Sequence, residues 1–136
     1  MIFVELEARD RIELHQDSYG NETLHAIACS ECLALIKKYQ SSKKSVKDWE
    51  MPKGNSHSDL LLRELILKAR GEWNFPYKED ELCHCRAVTT KRIDQSIIAG
   101  AHTMEQIRKA TSASTGCGTC WPQIEKIIKY RVIGMP

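Results

Sequence analysis

"ELCHCRAV" at residues 81–88 and "TGCGTCWP" at residues 115–122 decide how this chain is read. The first holds Cys83 and Cys85 either side of one histidine, and the second holds Cys117 and Cys120 among glycines. Thiols this close in sequence are not independent of one another. A two-residue spacer at the start of a helix lets two sulfurs converge, and the amide dipoles at that terminus favour thiolates. Gly116 and Gly118 remove side-chain bulk beside the sulfurs, so backbone N–H groups can approach them closely.

Between the two pairs the sequence predicts a helical hairpin able to fold one pair onto the other. Thr89 or Thr90 caps "KRIDQSIIA", Gly100 ends it, and Thr103 with Gln106 has capping-box spacing for "MEQIRKAT". A last helix opens near Thr119, tolerates Pro122 in its first turn, and carries Ile124, Ile127 and Ile128. Four thiolates so arranged suit tetrahedral zinc or an iron–sulfur cluster, and the spacing alone allows either.

Working outward, the first half reads as a separate module. "IFVELEARDRIELHQD" partly alternates apolar and polar residues, which predicts two strands joined by a turn near Arg9–Arg11. "SYGNET" reads as a loop, and from Thr23 the spacing of Leu24, Ile27, Ala28, Leu35 and Ile36 predicts a helix to about Tyr39. A polar connector with Pro52 and Gly54 follows, then a helix capped by Ser58 or Asp59 and running to Gly71. The expected fold class is α+β: a strand hairpin with helices over residues 1–78, then an all-α helix-turn-helix metal-binding domain over 79–136.

The chain has 136 residues, and six cysteines are many for that length. "MIFVELEARD" does not read as a secretory leader, and no apolar run approaches the roughly 20 residues of a membrane helix. A cytoplasmic protein with reduced thiols is therefore expected, its clustered cysteines serving metal or redox chemistry. Residues 1–79 carry 12 Lys/Arg against 13 Asp/Glu, and residues 80–136 carry 8 against 5. That small excess, without a dense basic run or an aromatic platform, argues against nucleic acid as a partner. It suits a bound anionic centre or an acidic protein.

"CHCRAVTTKRIDQSIIAGAHTMEQIRKATSASTGCGTCWPQIEKII" resembles the bacterioferritin-associated ferredoxin family of [2Fe–2S] domains along its whole length, about a third of the chain. The same domain occurs at the centre of NifU-type assembly proteins and within some nitrite reductases. The resemblance implies that Cys83, Cys85, Cys117 and Cys120 all ligate a [2Fe–2S] cluster. More faintly, "HAIACSECLALIKK" and "NSHSDLLLRELILKAR" resemble parts of an IscU-type assembly scaffold. There Asn21 stands where the scaffold's first cysteine would be, and Ser58 follows His57 where another would follow. The middle of that fold is largely missing, so the module reads as a degenerate scaffold in a shortened NifU-type protein.

Cys29 and Cys32 form a further C-x-x-C at a helix start. Two readings compete: a metal or redox pair with His25 or His57 as additional ligands, and two small apolar residues packed on the hairpin. Packing is favoured, because no second thiol pair completes a site. His84 is expected to face solvent, and Trp121 to shield the centre or pack on the helical hairpin. Arg86, Lys91, Arg92 and Lys109 are expected to be solvated or to form a docking patch.

The function expected is a non-enzymatic [2Fe–2S] protein in electron transfer, iron–sulfur assembly or iron mobilisation. Its partner would be a redox or assembly protein, with a homodimer also open and no membrane or nucleic acid involved. A zinc-stabilised interaction module is the alternative, and an enzyme using Cys29 and Cys32 as a dithiol is a third reading.

Overall fold

A computed structural model of the protein describes residues 1–83, 88–111 and 121–132, at 82 and 83 the backbone alone. The chain divides into two compact units, Met1–Trp73 and Asn74–Pro136. Both strands and helices are present, as expected for an α+β chain.

The first unit begins with β1 (Ile2–Leu6), β2 (Asp10–Gln16) and β3 (Glu22–Ile27), an antiparallel sheet in that order. Val4 pairs with Ile12 and Leu6 with Asp10, so alternate side chains Val4, Leu6, Ile12 and Leu14 share one buried face. The opposite face is polar: Arg11 bonds Glu5 and Glu13, each at 3.0 Å. The helix expected from Thr23 is instead the third strand as far as Ile27. Leu24 and Ala26 alternate with Thr23, His25 and Ile27, and pairing of Leu24 with Leu14 supplies ladder bonds that a helix there would forgo. Short apolar runs satisfy both periods, and here sheet pairing wins. Asn21 belongs to the turn before this strand, where Asp17 Oδ1 accepts from Tyr19 N and Asn21 N, each at 2.9 Å.

Helix α1 runs Ser30–Gln40 and buries Cys32 and Ile36. The connector beyond it is anchored more firmly than its polarity suggests. It contains a 3₁₀ turn at Val46–Asp48, stacks Trp49 on Tyr39 at 5.1 Å, and is held by Arg70 Nη2 donating to Trp49 O at 3.0 Å. Helix α2, His57–Arg70, supplies the centre of the core through Leu60, Leu61, Leu62, Leu65 and Ile66. Its N-cap is Ser56, not Ser58 or Asp59. Ser56 Oγ accepts from Asp59 N at 3.2 Å while Asp59 Oδ2 accepts from Ser56 N at 3.2 Å, which satisfies two amides that a helix start leaves open. Gly71 closes the helix at φ 73°, a left-handed conformation that glycine adopts without a Cβ penalty.

In the second unit the three expected helices are joined by two short strands the sequence did not reveal. β4 (Glu81–Cys83) pairs with β5 (Val88–Thr89), followed by α3 (Thr90–Ala99), α4 (Met104–Thr111) and α5 (Trp121–Arg131). Thr89 caps α3 by accepting from Arg92 N at 3.1 Å, as expected. Gln106 N donates to Thr103 Oγ1 at 3.2 Å, but the Gln106 side chain accepts from His102 N, one residue before the position a capping box requires. Arg131 clamps α5 to α3 through two bonds to Asp94, at 2.7 and 2.6 Å.

Replacing Ser56 with Ala should lower stability by about 1 kcal/mol, because Asp59 N loses its acceptor. Ser56→Gly should cost only a few tenths of that, since glycine also suits an N-cap. Urea unfolding followed by helical circular dichroism measures both.

Candidate metal centre

The second unit places the flanks of both thiol pairs on one core. Val88, Ile93, Ile97, Met104, Ile107, Ile124, Ile127, Ile128 and Val132 form that core, with Phe75, Tyr77, Ala101 and Trp121 packed against it. Val88 is the β5 residue opposite Cys83 in the strand pair. Trp121, the first residue of α5, directly follows Cys120. The strand pair is fixed to the start of α3, because Thr90 N donates to Asp80 O at 2.8 Å and Thr90 Oγ1 to Glu79 O at 2.6 Å. Tyr77 Oη adds a bond to Glu81 O at 3.2 Å. On the other side, the Arg108 guanidinium lies 4.4 Å over the Trp121 ring and Trp121 Nε1 donates to Glu125. Apolar burial thus helps to hold both flanks in place.

Of the residues the sequence singled out, Cys83 ends β4, while Cys85, Cys117, Cys120, His84 and Arg86 lie outside the described residues. Lys91, Arg92 and Lys109 are exposed. The donor set fits a cluster by its chemistry: four thiols in two pairs, the ligation [2Fe–2S] centres use.

The first unit holds a second group of donors. Cys29 Sγ lies 3.1 Å from His57 Nε2, which lies 3.2 Å from Asp10 Oδ2. Asp10 Oδ1 accepts from Cys29 N at 2.6 Å. All three ligand atoms fall within 4.8 Å of one another. Cys32 is fully buried, as the packing reading expected. Cys29 instead faces the imidazole and carboxylate, and His25 is not in the group. Sequence reading missed Asp10. Its signal was phase, because residue 10 shares the inward parity of Ile12 and Leu14 and so puts a carboxylate on an apolar face.

Comparison with known proteins bears on the second unit first. Residues 82–130 match the family of BFD-like [2Fe–2S] binding domains. The chain is 30% identical over 99 residues to a nitrite reductase [NAD(P)H] of Emericella nidulans, covering 69% of this chain and 9% of that one. It is 33% identical over 52 residues to the nitrite reductase [NAD(P)H] large subunit of Klebsiella oxytoca, covering 38% and 5% respectively. To the nitrogen fixation protein NifU of Leptolyngbya boryana it is 31% identical over 86 residues, covering 57% of this chain and 42% of the relative. The chain therefore spans less than half the length of each of these relatives. No solved structure matches it significantly. These findings make it an iron–sulfur protein whose cofactor is a [2Fe–2S] cluster. Among the described residues, no helix is long and apolar enough to cross a membrane.

Burial raises the Cys32 thiol from about 9 to about 11. The folded state therefore holds this proton more tightly than the unfolded chain does. The stability this adds is complete below pH 9 and is lost as pH rises through about 11. In the metal-free, reduced protein, wild type should lose more stability than Cys32→Ala between those limits. Urea midpoints measured across the range test this, and parallel curves would contradict it.

Proposed function

We propose that the chain is a one-electron carrier in which Cys83, Cys85, Cys117 and Cys120 hold the [2Fe–2S] cluster, and that it is not itself an enzyme. It exchanges electrons with a protein partner in the cytoplasm, a redox protein or a member of an iron–sulfur assembly system. The observation that carries this reading is the shared core of the second unit, which anchors Val88 beside one thiol pair and Trp121 beside the other. When bound, the cluster supplies one-electron chemistry at a potential set by its thiolates, amide hydrogen bonds and exposure.

The rest falls to this chain's residues. The Arg131–Asp94 clamp and the α3–α5 core fix the helix that follows Cys120. Arg108 and Glu125 orient the Trp121 ring at the head of that helix. Exposed Lys91, Arg92 and Lys109 offer an acidic partner a steering surface, which raises encounter rate more than affinity. The first unit we read as a degenerate assembly scaffold that keeps partner contacts.

Anaerobically purified protein should be red-brown and contain iron and sulfide in equal amounts. Cys117→Ser or Cys120→Ser should bleach it and reduce the helical signal, because ligation and folding are coupled where a core is small. Cys29→Ala with Cys32→Ala should leave the visible spectrum unchanged. A colourless wild type with stoichiometric zinc would favour the interaction-module reading instead.

A further inference from the structure

The Asp10–Cys29–His57 group has a geometry that hydrogen bonding leaves unsatisfied. His57 Nε2 lies 3.1 Å from the Cys29 sulfur and 3.2 Å from Asp10 Oδ2, yet one ring nitrogen carries one proton or one lone pair and cannot serve both. Asp10 Oδ2 accordingly accepts no hydrogen bond, although the carboxylate is almost wholly buried. A buried carboxylate oxygen without a donor is costly, and native structures rarely keep one without a reason. The atoms converging on this spot are a thiol sulfur, an imidazole nitrogen and a carboxylate oxygen, the donor types that bind zinc.

Cys29 is the N-cap of α1 and His57 is the first residue of α2, so both helices begin at this site. The Ser58 hydroxyl oxygen is 3.4 Å from His57 Nε2, and Cys32, the third residue of α1, is packed outside the group. The His57 side chain is 14% exposed, which leaves a path for an ion to enter.

We propose that Asp10, Cys29 and His57 form a mononuclear site for a zinc-class divalent cation, its fourth position filled by water, separate from the iron–sulfur centre. Binding forms one metal–sulfur bond, one metal–nitrogen bond and two metal–oxygen bonds, and releases the Cys29 thiol proton to water. The ion satisfies Asp10 Oδ2 and ties the starts of β2, α1 and α2 together. One thiol with a carboxylate and an imidazole supplies too few sulfurs for a four-thiolate cluster, so the site holds one ion.

The test uses the full chain with its cluster in place. Protein given one equivalent of zinc and desalted should retain one zinc with its iron unchanged. Zinc-edge X-ray absorption should show one sulfur at about 2.3 Å and three nitrogen or oxygen donors at about 2.0 Å. Cys29→Ser should remove that sulfur while Cys32→Ser keeps it, and Asp10→Asn should lower zinc retention. Wild type that retains no zinc would overturn the proposal. So would a four-sulfur shell accompanied by iron loss, which places zinc on the cluster cysteines, or a one-sulfur shell that Cys29→Ser leaves intact. Iron reports the cluster and zinc reports the first unit, so either reading can fail without the other.

Discussion

A carboxylate placed on an apolar face sets the arrangement of the first unit. Asp10 opens β2 pointing inward with Ile12 and Leu14, where an unpaired charge would cost several kcal/mol. One of its oxygens accepts the Cys29 amide at 2.6 Å, and the other lies 3.2 Å from His57 Nε2. The start of α1 has no side-chain cap of its own and takes its acceptor from Asp10. One side chain therefore sets where β2, α1 and α2 meet. The capping box at Ser56 and Asp59 completes the junction by fixing the direction in which α2 leaves it.

The second unit depends on a different constraint. Its described elements, β4, β5 and α3 to α5, are short, and residues that neighbour the two thiol pairs in sequence lie in or against its core. Val88 and Trp121 are inside or against the same cluster of isoleucines, and Thr90 locks the strand pair to α3 through two backbone carbonyls. Where packing fixes the neighbours of a ligand, less conformational entropy is lost when metal binds.

Much of this was legible in the sequence, for physical reasons that also explain the failures. The helices of the second unit declared themselves through caps and stops, Thr89 and Gly100 above all, because those signals are local. The thiol spacing was legible because ligand geometry restricts it. β4 and β5 were not, since strands of three and two residues have no period to detect. β3 was misread as helix because Leu24, Ile27 and Ala28 satisfy helical spacing, and only the partner strand decides. The Asp10–Cys29–His57 group draws on residues 19 and 28 positions apart, and no local pattern reports a meeting of that kind. Cys32 looked like packing and is packed.

Trp121 gives the second unit an optical property. Its indole sits at the head of α5, one peptide bond from Cys120 and under the Arg108 guanidinium. Adjacent Cα atoms are about 3.8 Å apart, so a chromophore held at Cys120 would lie well within range to capture the excitation of that ring. [2Fe–2S] centres absorb across the band in which tryptophan emits. Such a cluster would dim Trp121, which gives the chain a fluorescent gauge of cluster occupancy that needs no attached label.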